Sequence, residues 1–333
     1  MVSLGEGLTP LLHPVVYGDA IGLRGLHLKL DSLNPTGSFK DRGTTVSVSK
    51  LKEWGVDRAL DDSSGNAGSS LAAYCAAAGI GCRLYVPSAA SSQKIRQAEA
   101  YGAEIIRVPG SRSDVERSAR KAWKNGKIYY ASHALSPYFI DGTKTVAFEI
   151  ADELGKNLPD HMFFTVGGGS LLLGAWKGFR ELLEVGLIDR IPKLHCIQSE
   201  SCMPVVVAFR KGMSRVKKVP ERETVAAGIR ISKPARGDEI LEVIRRTGGS
   251  AEAVADSEIL NQQRLMATKS GIFAEPTSCA ALAGLVRLRE KGKIEADDAV
   301  VIPITGSGFK DPGTKPPPVH MERQIASCRD RIT

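Results

Sequence analysis

Lys40 sits in a ten-residue run, Asn34-Pro35-Thr36-Gly37-Ser38-Phe39-Lys40-Asp41-Arg42-Gly43, between an apolar stretch over residues 26–30 and a helical pattern. A lysine at a tight turn onto a helix start lies near backbone N–H groups, where its pKa falls and its amine becomes nucleophilic. An isolated Phe-Lys-Asp would be a surface lysine in a turn; ten turn-forming residues around one lysine favour chemistry. The segment Ser63-Ser64-Gly65-Asn66-Ala67-Gly68 follows a short strand and opens an alanine-rich helix. Its small residues admit a ligand close to the backbone, the helix start offers N–H groups to an anion, and the hydroxyls and Asn66 amide add directed hydrogen bonds. Ordinary N-cap chemistry explains the segment about as well.

Gly167-Gly168-Gly169-Ser170 lies between the apolar run 162–166 and a helix starting near Leu172. Strand, glycine turn and helix make the layout of a phosphate cradle. It is not GxGxxG, and the chain has no GxxxxGK[ST], which argues against dinucleotide and nucleotide-triphosphate sites. Thr305-Gly306-Ser307-Gly308 puts hydroxyls after the apolar run 299–304, at the carboxyl end of a strand, where open α/β sheets bind ligands. The run 305–311 echoes the run 36–41, so composition leaves open which of Lys40 and Lys310 is reactive. A small phosphorylated cofactor with a carboxylate-bearing substrate would use two anion cradles, a reactive lysine and a hydroxyl cluster. Pyridoxal phosphate with an amino acid is such a pair.

Alternating elements must position these residues. Apolar runs over 82–86, 104–108, 162–166, 194–198 and 299–304 read as strands. Amphipathic stretches over 69–78, 92–101, 113–124, 143–154, 172–185, 256–270 and 278–291 read as helices. Strand and helix in alternation predict an α/β fold with parallel sheets and βαβ crossovers. No repeat of 20–50 residues recurs, which excludes a solenoid. The Pro-rich stretch 315–318 ends the globular part.

The 333 residues include 34 glycines but only 6% aromatics, and the net charge is +8. The cations concentrate at Arg112, Arg117, Arg120, Lys121, Lys124 and Lys127 on one helix, and at Arg210, Lys211, Arg215, Lys217 and Lys218 in a loop. Neither group carries interleaved aromatics or a nucleic-acid motif, so both read as solvated faces and no nucleic-acid partner is expected. The six cysteines show no CxxC pair and no zinc spacing. Cys75, Cys82 and Cys279 read as small core residues. Without a secretory signal or an 18-residue apolar span, a cytoplasmic protein with no membrane partner is expected.

Leu4-Gly5-Glu6-Gly7-Leu8-Thr9-Pro10, the run 34–43, Gly271-Ile272-Phe273-Ala274-Glu275-Pro276-Thr277-Ser278 and the run 305–312 resemble threonine synthase, a fold-type II pyridoxal-phosphate enzyme related to the tryptophan synthase β chain. The resemblance implies two open parallel-sheet domains with the cofactor in the cleft between them. Residues 1–43 and 151–320 would form the large cofactor-binding domain, 44–150 the small substrate-loop domain, and 321–333 a tail. It breaks the tie in favour of Lys40 as the Schiff-base lysine, flanked by Phe39. Gly167, Gly168, Gly169 and Ser170 would cradle the cofactor phosphate, Asn66 would bond its ring hydroxyl, and Thr305, with Ser307, would face its pyridine nitrogen. Ser63, Ser64, Asn66 and the Ala67 backbone would hold the substrate carboxylate.

The implied activity is loss of phosphate from O-phosphohomoserine followed by addition of water at Cβ, giving L-threonine from a small amino-acid substrate. A homodimer is the family habit. The chain departs from the family pattern at Ala67 and Gly68, where hydroxyl residues are usual, and at Phe139, which takes the place of an arginine. Losing those groups removes charge-assisted bonds worth about 1.5–3 kcal/mol each. The alternative is therefore a serine/threonine dehydratase or β-replacement enzyme acting on an unphosphorylated amino acid.

Overall fold

A computed structural model of the protein describes residues 1–313 except 91, 127 and 156. The Pro-rich stretch 315–318, the expected tail 321–333, Cys328 and Lys127 lie outside the described residues. In chain order the strands are β1 (Leu11–Leu12), β2 (Leu26–Lys29), β3 (Arg58–Asp61), β4 (Gly81–Pro87), β5 (Glu104–Val108), β6 (Tyr129–Tyr130), β7 (His161–Thr165), β8 (Lys193–Ser199), β9 (Ala251–Val254) and β10 (Val300–Pro303). They form a six-stranded sheet, β1-β2-β10-β7-β8-β9, and a four-stranded sheet, β5-β4-β3-β6. Only β1 pairs antiparallel among the described ladders; the others are parallel, as crossover helices require.

The central strands of the large sheet are buried along their length, which explains why they read as unbroken apolar runs. One face packs on helices Thr145–Leu154, Ser170–Glu184, Pro204–Arg210 and Gly237–Arg246. The other packs on helices Asp256–Ser270 and Pro276–Glu290. The small sheet is covered by helices Lys40–Glu53, Asn66–Ala78 and Gln93–Ala100 on one side and by Arg112–Lys124 on the other.

Two departures from the sequence reading matter for the site. The helix expected over 143–154 is preceded by a separate one, Pro137–Thr143, and the two meet at Lys144. Gly142, within the first of them, is a point of close backbone contact: a Cβ there would lie 1.9 Å from the Arg42 carbonyl. Helices Pro204–Arg210 and Gly237–Arg246 and strand β9 are additional to the expected elements, and Arg210, expected in a loop, closes the first of them. In β9 the apolar pattern is interrupted by Glu252, although the four-residue strand is fully buried. The Glu252 carboxylate is paired with Arg210 and Lys291.

The topology brings the chemistry to one edge. Strands β2, β10 and β7 are adjacent and parallel, with Pro303 beside Lys29 and Val301 beside Met162. Their carboxyl ends therefore release the segments 30–40, 304–308 and 166–170 at the same side of the sheet, where ligands of open α/β sheets bind.

Candidate active site

Lys40 is the first residue of helix Lys40–Glu53, and an antiparallel bridge between Ser38 and Gly306 ties its loop to the end of β10. The Phe39 N–H donates to the Thr305 carbonyl at 3.0 Å, and the Ser307 N–H donates to the Gly37 carbonyl at 3.0 Å. The Lys40 Nζ lies 4.6 Å from the Phe39 ring centre and 5.5 Å from that of Phe139, with no hydrogen-bond acceptor among the described residues. Burial pushes its pKa down to about 8, against the opposing pull of Asp61 and Glu275. The sequence reading expects that depression from nearby backbone N–H groups; its main cause is desolvation.

Lys310 is also pushed down to about 8 by burial, but its surroundings differ. Its Nζ donates to the Thr36 carbonyl at 2.6 Å, to Gln97 Oε1 at 2.6 Å and to Ser69 Oγ at 3.0 Å. Those three acceptors use its full donor capacity. Lys310 thus pins the Lys40 loop to the helix Asn66–Ala78, and has no free donor for a ligand.

Helix Asn66–Ala78 starts at the end of the loop that follows β3. A Cβ on Gly68 would meet the Ser63 carbonyl at 2.2 Å, so the loop through Ser63 and Ser64 folds back over the helix start only because this residue is glycine. The Asn66 amide donates to both oxygens of Glu275, at 2.9 and 3.1 Å, while its Oδ1 is buried without a partner. Glu275 also receives Lys94 at 3.0 Å, and its N–H donates to the Gly306 carbonyl at 3.0 Å. This joins the loop after β3 to the loop after β10. Thr305 is buried with its Oγ1 2.9 Å from Ser278 Oγ. Ser307 spends its Oγ on the Phe309 N–H, at 3.3 Å.

The segment 167–170 starts the 15-residue helix Ser170–Glu184. Gly169 has φ +76°, and a Cβ there would lie 2.3 Å from Ile240 Cδ1. A Cβ on Gly168 would meet only Ile231 Cδ1, at 3.9 Å, so the middle glycine borders open space. An unpaired helix N-terminus behind an open glycine turn can hold a phosphate.

The fourth side of the site is formed by Asp61, His133 and Phe139. His133 Nδ1 is 3.1 Å from Asp61 Oδ2, and its ring packs edge-on to Phe139 at 5.8 Å. Phe139 is buried against Gly43, where a Cβ would clash with its ring at 2.6 Å. Burial raises the Asp61 pKa, partly offset by His133. Burial also acts to raise that of the adjacent Asp62, but Arg112 and Tyr130 hold it below the usual range. Arg112, read from sequence as part of a solvated face, donates to Asp62 at 2.6 Å instead.

A family model described as pyridoxal-phosphate dependent enzyme matches residues 2–306. Threonine synthase of Methanocaldococcus jannaschii is 41% identical over 313 residues, covering 94% of this chain and 77% of the relative. This chain belongs to the threonine synthase family of pyridoxal-phosphate-dependent enzymes. The threonine synthase of Bacillus sp. is 39% identical over 93% of this chain and 85% of its own length. The fold of this family member is shared with maize serine racemase, at a TM-score of 0.78 and 20% identity, covering 90% of this chain and 88% of that one. The fungal L-serine ammonia-lyase of Rhizomucor miehei has the same fold at a TM-score of 0.79 and 20% identity, over 90% and 94% of the two chains.

The residues present fit the cofactor this family uses. The Gly168 side of the cradle has room for a phosphate, the orphaned Asn66 Oδ1 suits a ring hydroxyl, and Lys40 offers an amine of depressed pKa. Ser38 Oγ, beside Phe39, is likewise buried and unpartnered. Sequence reasoning gives no role to Ser278, Glu275, Lys94, Asp61 or His133. Glu275 and Ser278 do stand in a quoted motif, which is their only signal; the other three depend on contacts between distant segments.

Proposed function

We propose that the chain is a pyridoxal-phosphate-dependent amino-acid lyase of the threonine synthase type, which releases phosphate from O-phosphohomoserine and adds water at Cβ to give L-threonine. The observation that carries the reading is the contrast between the two echoing lysines: Lys310 is consumed by three acceptors, whereas the Lys40 amine is free at the edge where four loops converge. When bound, the cofactor supplies an electron sink for charge developing at the substrate Cα. Lys40 would hold the cofactor, and its amine would take up the proton of the substrate Cα and later return it. Residues 167–170 would hold the phosphate, and Asn66 the ring hydroxyl. Thr305, backed by Ser278, would present a hydroxyl rather than a carboxylate to the ring nitrogen. A hydroxyl there would temper the sink and favour elimination and replacement over transamination. Ser63, Ser64 and the Ala67 N–H would take the substrate carboxylate. A homodimer in the cytoplasm completes the reading, and light scattering on the purified protein tests the dimer.

One observation favours a second reading. Phe139 and Asp61, an apolar ring and a carboxylate, lie near the Lys40 amine, and Lys94 and Arg112 are paired with acidic residues. A phosphorylated side chain there would meet a like charge, whereas the hydroxyl side chain of serine or threonine would not. Incubation with O-phosphohomoserine and, separately, with L-threonine or L-serine distinguishes the readings by phosphate and threonine or by a 2-oxo acid. Phe139→Arg is expected to lower KM for O-phosphohomoserine at least tenfold if that is the substrate; an unchanged or higher KM counts against it.

A further inference from the structure

We propose that His133, oriented by Asp61, is a second proton-handling residue of this site, acting at the oxygen on the substrate Cβ. The inference rests on the lyase reading above and extends it. Addition of water at Cβ and loss of a hydroxyl from Cβ are one step in opposite directions, so the same residue serves both substrate readings.

The geometry is that of an oriented imidazole. Asp61 closes β3 and is buried; its Oδ1 accepts the Asp62 N–H at 2.9 Å, and its Oδ2 faces His133 Nδ1 at 3.1 Å. With Nδ1–H donating to that carboxylate, the proton sits on Nδ1 and the Nε2 lone pair is free. The imidazole is half-buried and packs on Phe139, whose other neighbours are Gly43 and the Lys40 ammonium. Two proton carriers, Lys40 and His133, thus flank one aromatic ring. Around the pair, Asp62 is occupied by Arg112 and by the Tyr130 hydroxyl at 2.8 Å, which leaves Asp61 to His133.

The chemistry needs such a group. Lys40 serves Cα, and a hydroxide is a poor leaving group unless protonated as the C–O bond breaks. In the forward direction a water oxygen forms the bond to Cβ, its proton passes to His133 Nε2, and the Cα–Cβ π pair shifts to Cα, which takes a proton from Lys40. In reverse, the C–O pair leaves with oxygen, His133 supplies the proton and water departs. Asp61 is a positioning residue that also stabilises the imidazolium.

The test uses the holoenzyme with His133→Gln and His133→Asn, each checked for the visible cofactor band as a sign of an intact site. Formation of 2-oxobutanoate from L-threonine should fall about 10²–10³-fold. Chloride leaves without a proton, so the fall for β-chloro-L-alanine should be at least ten times smaller. With O-phospho-L-homoserine, phosphate release should persist while product shifts from threonine to 2-oxobutanoate. Asp61→Asn should reproduce these patterns more weakly. Equal losses on both leaving groups with an unchanged product ratio, or no loss, would overturn the proposal. A wild-type protein with no cofactor band and no turnover of any of the three substrates would instead overturn the lyase reading itself.

Discussion

Two lysines of nearly identical local sequence have different surroundings: Lys310 is bonded to three acceptors, and Lys40 lies against two aromatic rings. Lys40→Ala is expected to abolish both the visible cofactor band and turnover. Lys310→Ala should keep the band but destabilise the fold by about 1–3 kcal/mol, because the Thr36 carbonyl and Gln97 Oε1 lose their buried donor. Absorbance and urea denaturation of the two variants check this, and the reverse pattern would reassign the reactive lysine. The depressed pKa values carry a pH consequence for the cofactor-free protein. Both lysines titrate near 8 when folded, against about 10.4 for a free lysine, so between those values the unfolded chain binds more protons. Stability should therefore rise with pH from about 8 to 10.4, and Lys40→Met should flatten part of that rise in denaturation measured at several pH values.

At the scale of elements, the proposed phosphate cradle at the start of helix Ser170–Glu184 separates two glycines by their backbone geometry. Gly169 needs its left-handed φ and the space occupied by Ile240, whereas Gly168 needs neither. Gly169→Ala should thus cost about 1–3 kcal/mol of stability together with cofactor affinity. Gly168→Ala should lower cofactor affinity at least tenfold with little change in the unfolding midpoint, since its methyl group would point into the open cradle. Cofactor titration and thermal unfolding separate the two; equal destabilisation would mean that the glycines serve the fold alone. These elements are largely legible from sequence. The strands and helices of the large sheet follow from apolar runs and helical periodicity, with ends off by a residue or two. Helices Pro204–Arg210 and Gly237–Arg246 and strand β9 are not; in β9 a paired Glu252 hides the apolar pattern.

Over the whole molecule, the site is built between the two sheets. Asn66 belongs to a helix packed on the small sheet and Glu275 to a loop at the large one, and their hydrogen bonds join the two. A cofactor bound across that junction should stabilise the native chain by mass action, about 2.7 kcal/mol at a hundredfold excess over Kd. Asn66→Ala should shrink the cofactor-induced rise in Tm, measured by scanning at fixed cofactor concentration. The net charge of +8 has little part in this. Lys94, Lys310 and Arg112 are already paired or bonded within the chain.

The family, the cofactor class and the loops proposed for the site carry short motifs, because tight turns, helix starts and glycine cradles are encoded by neighbouring residues. The cluster of Asp61, His133 and Phe139 is less legible. Phe139 stands out in the sequence only by departing from the family pattern, and no local pattern links Asp61, about seventy residues earlier, to His133. Only packing of helix Pro137–Thr143 against Gly43, and the end of β3 against the loop before that helix, gives them a common face. Local sequence therefore carries the turns and helix starts proposed to hold the cofactor. The tertiary structure decided that Asp61, His133 and Phe139 share one face, since that depends on contacts between residues about seventy to a hundred positions apart.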